Sequence, residues 1–405
     1  MTGKALAGVK IADFTWVGVG PITMKCLADH GAEVIHVESS LRPELLRTTA
    51  PFRDGIAGLN RSAYNACLNN NKYGLALNMN HPRAPEVLTR LVKWADIVAE
   101  SFSPGAVAKW GLAYEDLVKI RPDVIMYSTS QQGQTGPRAR IGAYGTQLVS
   151  LTGFTHLTGW PDRDPTGPYG PYTDTTAPAL GASAVISALI RRHRTGKGTH
   201  IDLAQLEAGL NFLAPVMLDY TVNGRVNQRR GNRCDYAAPH GVYRCQGEDR
   251  WCAIAVFTDA EWQKLCEVIS RPELAQDSRF NTLSRRKQNE DALDEIINQW
   301  TAQFSAVEVM QRLQAAGIVA GIAQTGRDLL ENDPQLAHRQ FFDELEHGEI
   351  GRHHYEKPPF RLGKTPTELT KAGPCLGEDN EKVCKQMLGF SEEEYISLVV
   401  DEVLV

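Results

Sequence analysis

VKIADFTWVGVGPITMKCLADHGAEVIHVE, residues 9–38, decides the fold. VKIADFT (9–15) is a short, mostly apolar run. A Gly-rich turn and Pro21 follow, then a helical pattern, ITMKCLADHG, that ends on Gly31. EVIHVE (33–38) is a second strand-like run. A strand, a helix and a strand in so little chain require a parallel crossover, the unit from which α/β sheets are built.

The same alternation continues outward from this unit. YGLALNM (73–79), ADIVAES (95–101) and DVIMYSTS (123–130) read as strands, with helical stretches at 82–94 and 114–120. A long helix is predicted over 176–194, a strand at THIDLA (199–204), and one helix over 205–224 closed by Gly224. The predicted fold class is therefore α/β, a Rossmann-like parallel sheet covered on both faces. Composition turns polar and basic near 225–240, and GVYRC and WCAIAVF beyond it form a hairpin signal around QGEDR. The boundaries expected are 1–224 for the first part of a large domain, 225–330 for a smaller α+β domain, and 331–405 for a return to the large one. A chain of 405 residues suits this division, since single cores stop growing at roughly 250–300 residues.

Composition excludes several function classes. The 43 basic and 48 acidic residues give a net charge of −5, which favours neither nucleic acid nor a membrane surface as partner. No apolar stretch approaches the ~20 residues that span a bilayer, and the N-terminus lacks signal-peptide character. Eight scattered cysteines without a C-x-x-C pair fit reduced thiols, so a cytoplasmic protein with no metal site is expected.

Four stretches carry candidate chemistry. DFTWVGVGP (13–21) ends a strand in a turn whose N–H groups suit an anion. LNNNKYGLALNM (68–79) places Lys72 before a strand. AESFSPGAVAKWG (99–111) follows a strand with Ser101, Phe102 and a Pro-Gly turn, with Lys109 one helical turn on. PTGPYGPYTDTTAPALG (165–181) sets Asp174 before a helix of small residues. By local pattern Asp174 is a helix cap; the functional alternative is a nucleophilic carboxylate kept ionised by the helix dipole.

In their order along the chain, DFT…GP, LADHGAEVIHVE, NNNK, ADIVAESFSPG, Asp174, RTGKGTHIDLAQLEA, AAPHGVY and LGEDNEKV resemble the class III CoA-transferase family. That family includes formyl-CoA, carnitine and benzylsuccinate CoA-transferases and acyl-CoA racemases. The resemblance implies that Asp174 is the catalytic aspartate, forming an anhydride and then an aspartyl-CoA thioester. It implies CoA contacts at Trp16, Val17, Arg42 (or Arg47), Lys72, Ser101, Phe102, Lys109 and Arg140, and a substrate pocket with Tyr144, Gln147 and Tyr172. CoA thioesters enter as substrates, with no permanently bound cofactor.

Further expectations follow from the same resemblance. They are succinyl-CoA as donor, a free carboxylic acid as acceptor (aromatic or dicarboxylic, such as benzylsuccinate), and an interlocked homodimer or a heteromer with a paralogous subunit. Two features depart from the family pattern: no arginine directly follows Glu38, and the glycine-rich loop of the formyl-CoA enzymes is absent. The alternatives are a racemase or a non-catalytic CoA-binding subunit. Tyr144 stands where a racemase would carry its histidine base, and a phenol of pKa near 10 is a poor base at neutral pH.

Overall fold

The computed structural model describes residues 3–142 and 144–405. The opening stretch forms β1 (Lys10–Phe14), α1 (Val19–Asp29) and β2 (Glu33–Glu38), with Ile11 beside Val34 and Asp13 beside His36 in parallel register. The chain continues through α2 (Ala63–Leu68), β3 (Lys72–Ala76), α3 (Ala84–Trp94), β4 (Ile97–Glu100), α4 (Tyr114–Ile120) and β5 (Ile125–Ser130). Next come α5 (Gly145–Leu151), α6 (Phe154–Leu157), α7 (Tyr172–Thr195) and β6 (Thr199–Ala204). The six strands make one parallel sheet in the order β3-β2-β1-β4-β5-β6. Strand order reverses between β1 and β4, and ligands of such sheets bind beyond the carboxyl ends of the strands at that point.

Successive strand residues face opposite sides of the sheet. Ile11, Val34, Ile97 and Ile125 pack on Met24 and Leu27 of α1 and Val185 of α7. Ala12, Ile35, Val98 and Met126 pack on α3, whose apolar residues at 84, 87, 88, 91 and 92 follow the 3.6 period of one helical face. Each fully buried Leu or Val there contributes roughly 1.5–3 kcal/mol. Small residues bring α7 close to the sheet. A Cβ on Gly181 would lie 2.5 Å from the Tyr127 hydroxyl, so only glycine permits this approach.

Two helix expectations are corrected. α7 begins at Tyr172 rather than 176, so Asp174 lies inside the first turn and is not the cap. The helix expected over 205–224 is two, α8 (Gln205–Phe212) and α9 (Ala214–Asn223). Pro215 has no N–H to bond back to Asn211, and the helix restarts there.

The chain divides into two compact units. One holds the chain up to Thr155, Gly167–Val226 and Gln335–Val405; the other holds His156–Thr166 and Asn227–Pro334. The segment His156–Thr166 belongs to the second unit, which the boundary expected at 225 did not include. In that unit β7 (His240–Arg244) and β8 (Trp251–Ala255) pair as the antiparallel hairpin read from the sequence, and β9 (Val319–Ile322) extends them. Its core joins Tyr243 and Ile254 to Trp262, Leu293, Ile297, Val309 and Leu313 of the surrounding helices. Among the described residues no helix is long and apolar enough to cross a membrane. All eight cysteines are free thiols.

Candidate active site

The β1–α1 turn is fastened at three successive residues. Thr15 donates its N–H (2.9 Å) and hydroxyl (2.5 Å) to Asp13 Oδ1. Trp16 donates its N–H to Ser101 Oγ at 2.8 Å, and that hydroxyl donates back to the Trp16 carbonyl at 3.1 Å. Val17 donates its N–H to Glu44 Oε1 at 2.6 Å. Ser101 follows β4, so its pair of bonds ties β1 to β4 where the strand order reverses. The second wall is held by Glu100, whose Oε2 accepts the Phe102 N–H at 2.8 Å; burial pushes this carboxyl up to about 6. Trp16 and Phe102 lie with ring centroids 5.1 Å apart.

Between these walls is a cavity of about 250 Å³ lined by the turn Trp16–Gly20, Ser101–Pro104, Thr129–Gln131, Arg140, Tyr144 and Asp174. Asp174 Oδ2 sits against the turn: a Cβ on Gly18 would fall 2.1 Å from it, and one on Gly145 3.5 Å from Oδ1. Glycine at 18 is thus a steric condition for the carboxylate's position. No side chain caps α1 and Pro21 has no N–H, so the first-turn amides lack a side-chain acceptor, and Val19 and Gly20 of that turn line the cavity. Such amides are suited to stabilising developing oxyanions.

Asp174 is 8% exposed, and among the described residues none hydrogen-bonds its carboxylate. Burial alone pushes its pKa up to about 6. The helix dipole expected to keep it ionised opposes this shift, and the group still ionises above about pH 6. A dipole contributes ~0.3–1 kcal/mol, whereas a rise of about two pK units is a desolvation cost of ~3 kcal/mol. Desolvation wins. The product is a carboxylate partly desolvated and without a hydrogen-bond partner among the described residues, and hence a stronger nucleophile than one in water. The Tyr64 phenol is near it: burial first, then the Asp174 charge, raises the Tyr64 pKa. Ser130 Oγ and Gln131 Oε1 line the same cavity and have no hydrogen-bond partner among the described residues.

Of the residues predicted from the sequence, the structure brings Trp16, Val17, Ser101, Phe102, Arg140, Tyr144 and Asp174 to this one cavity. Others lie elsewhere. Arg42 is exposed outside it, and Lys109 stacks on Trp110 at 4.2 Å beside a different depression. Gln147 accepts the Tyr144 N–H at 2.9 Å and serves as a capping residue of α5. Tyr172 packs edge-on against Phe154. Lys72 requires the plainest correction. It begins β3, fully buried, and its ammonium donates to Asp13 Oδ2 (3.0 Å), Asn69 Oδ1 (2.8 Å) and the Pro21 carbonyl (3.1 Å). It has no face left for a phosphate.

Lys72 belongs to a buried ionic network that sequence reading missed. His36 Nδ1 meets Asp13 Oδ2 at 3.2 Å, and its Nε2 faces Glu44 Oε2 at 3.3 Å and Glu38 Oε1 at 3.4 Å. Arg47 donates to both oxygens of Glu38, at 2.6 and 2.7 Å. Three cations therefore face three carboxyls. Burial opposes charge on His36, but Glu38 and Asp13 outweigh it and push the imidazole up to about 9. Burial would likewise raise Asp13, yet Lys72 and His36 hold it well below the usual carboxylate range. His36, Glu38 and Glu44 have metal-ligand spacing, but Arg47 already occupies both oxygens of Glu38. The available signal was polar residues at 36 and 38, one strand period apart after the apolar Val34 and Ile35.

A parallel sheet with a cavity at its switch point, and a buried carboxylate on a helix's first turn, mark the candidate active site of an α/β protein. The sequence profile of CoA-transferase family III matches residues 6–380, and the chain belongs to that family. It is 29% identical over 401 residues to the succinyl-CoA–D-citramalate CoA-transferase of Chloroflexus aurantiacus, covering 99% of this chain and 98% of that one. It is 30% identical to the succinyl-CoA–L-malate CoA-transferase alpha subunit of Chloroflexus aurantiacus, covering 96% and 90%. The crystal structure of a CAIB/BAIF family protein from Brucella suis superposes with a TM-score of 0.87 at 30% identity, over 95% of this chain and all of the other. The protein is an enzyme of the family III CoA-transferase class.

Proposed function

We propose that the enzyme moves CoA from succinyl-CoA to a dicarboxylic acid through covalent intermediates on Asp174. The observation that carries this is the carboxylate itself: buried, unpaired and set between Gly18 and Gly145 in the cavity beyond β1 and β4. An Asp174 oxygen attacks the thioester carbonyl, and the C–S bond breaks to give a mixed anhydride and CoA thiolate. The thiolate attacks the aspartyl carbonyl, releasing succinate and leaving an aspartyl-CoA thioester. The acceptor carboxylate attacks that thioester, expelling thiolate and forming a second anhydride. Thiolate then takes the acceptor's acyl group and frees Asp174. Electron pairs and charge balance at each step, and no proton need be moved. Holding the attacking oxygen beside the thioester in a dry site supplies the effective molarity a carboxylate lacks in water.

The cavity is too small for a whole CoA, so it takes the thioester end, with the nucleotide outside. Ser130 and Gln131 offer hydrogen bonds to the ligand. Arg140 is, among the described residues, the cation that lines the cavity, and it meets CoA phosphate where the ligand leaves. The named relatives act on citramalate and malate, which supports a dicarboxylate acceptor. Exposed apolar side chains on α7–α9 (Ile190, Phe212, Met217, Leu218) support burial against a second chain, a copy or a paralogue. A screen of free acids against succinyl-CoA, read by mass spectrometry of the CoA esters, tests the substrate reading. A dicarboxylic acid is expected to give the fastest product; transfer confined to monocarboxylic acids refutes it.

A further inference from the structure

Glu44 is a fully buried acid that takes no part in the chemistry above. It sits beyond β2, and its two oxygens serve two different donors: Oε1 accepts the Val17 N–H at 2.6 Å, and Oε2 faces His36 Nε2 at 3.3 Å. Val17 has a φ of +70°, the left-handed region. For a β-branched residue this is a true outlier, strained and persisting only where surroundings impose it. The next residue is Gly18, whose backbone is the surface against which Asp174 Oδ2 rests. The strained residue, its buried anchor and the nucleophile's seat are therefore consecutive links.

From this geometry we infer that Glu44 is a positioning residue of the transfer reaction: it clamps Val17 in its left-handed conformation and so fixes the Gly18 backbone against the Asp174 carboxylate. The inference rests on Asp174 being the nucleophile. Only a carboxylate can serve both donors at once. A carboxamide accepts on one oxygen and donates from its nitrogen, so glutamine must abandon either Val17 or His36. His36 is also engaged by Asp13 and Glu38, and it competes with Val17 for that single oxygen. When the clamp is lost, the strained turn relaxes. An ångström of displacement beside a reacting group costs up to ~10²-fold in rate.

The test reads exchange of labelled succinate into succinyl-CoA, which needs no knowledge of the acceptor. Glu44→Gln is expected to lower kcat about 30-fold while KM for succinyl-CoA changes less than about threefold. Adding Val17→Gly is expected to recover about tenfold, because glycine adopts a positive φ without strain and no longer needs the clamp. A folded Glu44→Gln enzyme with kcat within threefold of wild type overturns the inference. So does a double variant no faster than Glu44→Gln, which would mark a merely structural acid. A wild type that forms no aspartyl thioester overturns the inference together with the reading it rests on. Should Glu44→Gln not fold, amide exchange of Val17 in the wild-type enzyme decides. Retardation of about 100-fold or more is expected of the clamped N–H, and exchange at the unprotected rate overturns it.

Discussion

Asp174→Asn should cost the enzyme its activity and make it more stable. The native carboxyl is pushed from 3.8 up to about 6 by burial alone. With the folded pKa above the unfolded one, the native state holds this proton more tightly. The associated stability is complete below about pH 3.8 and is lost as pH rises through about 6. Above that range the ionised native carboxylate costs ~3 kcal/mol, from about two pK units at 1.36 kcal/mol each. Solvent screening takes little from this figure, since the residue is only 8% exposed. Asparagine has the same shape and no charge, so it avoids the cost at the smaller penalty of burying an amide. Denaturant unfolding at pH 8 should show the variant up to ~3 kcal/mol more stable, with the gap closing at pH 4. Protein concentration must be held fixed in case the unfolding unit is oligomeric. Transfer activity should fall at least ~10³-fold. A variant no more stable than wild type at pH 8, or a gap that does not change with pH, refutes the desolvated carboxylate.

Three other outcomes follow from the same geometry. Gly18→Ala sets a methyl 2.1 Å from Asp174 Oδ2; succinate exchange should drop ~10²-fold while the circular dichroism spectrum stays native. Arg140→Ala should raise KM about tenfold, equally for succinyl-CoA and acetyl-CoA, as loss of a phosphate contact requires; an effect confined to succinyl-CoA places the guanidinium on the acyl group instead. The buried His36, raised to about 9, contributes stability that is complete below about pH 6.5 and lost as pH climbs through about 9. Thermal unfolding should therefore show a falling Tm between pH 7.5 and 10, and His36→Gln should flatten that fall.

Much of the sheet was legible because its strands are continuous apolar runs between turn signals. EVIHVE, THIDLA and the helix at 114–120 have the bounds read for them. What local pattern missed was set by partners distant in sequence. Pro215 breaks a helix that hydrophobic spacing alone would continue. Lys72 looked like a free cation at a strand, yet Asp13, 59 residues earlier, holds it in the core. Asp174 was singled out from the sequence through the chain-long succession of motifs around it. Its desolvation was not legible, because that comes from packing against Gly18 and Gly145 on other elements. The burial of Glu38 and Glu44 was not legible, because a carboxyl buried among cations has no local signature, least of all Glu44 in the loop beyond β2.

The central claim is that Asp174 carries CoA. The direct measurement is to incubate the enzyme with succinyl-CoA and no acceptor, trap with hydroxylamine, digest, and sequence the peptide holding residue 174 by mass spectrometry. The hydroxamate is predicted on Asp174 and should be absent from Asp174→Asn. A modified residue elsewhere, or an unmodified Asp174 in an enzyme that exchanges succinate, contradicts the account.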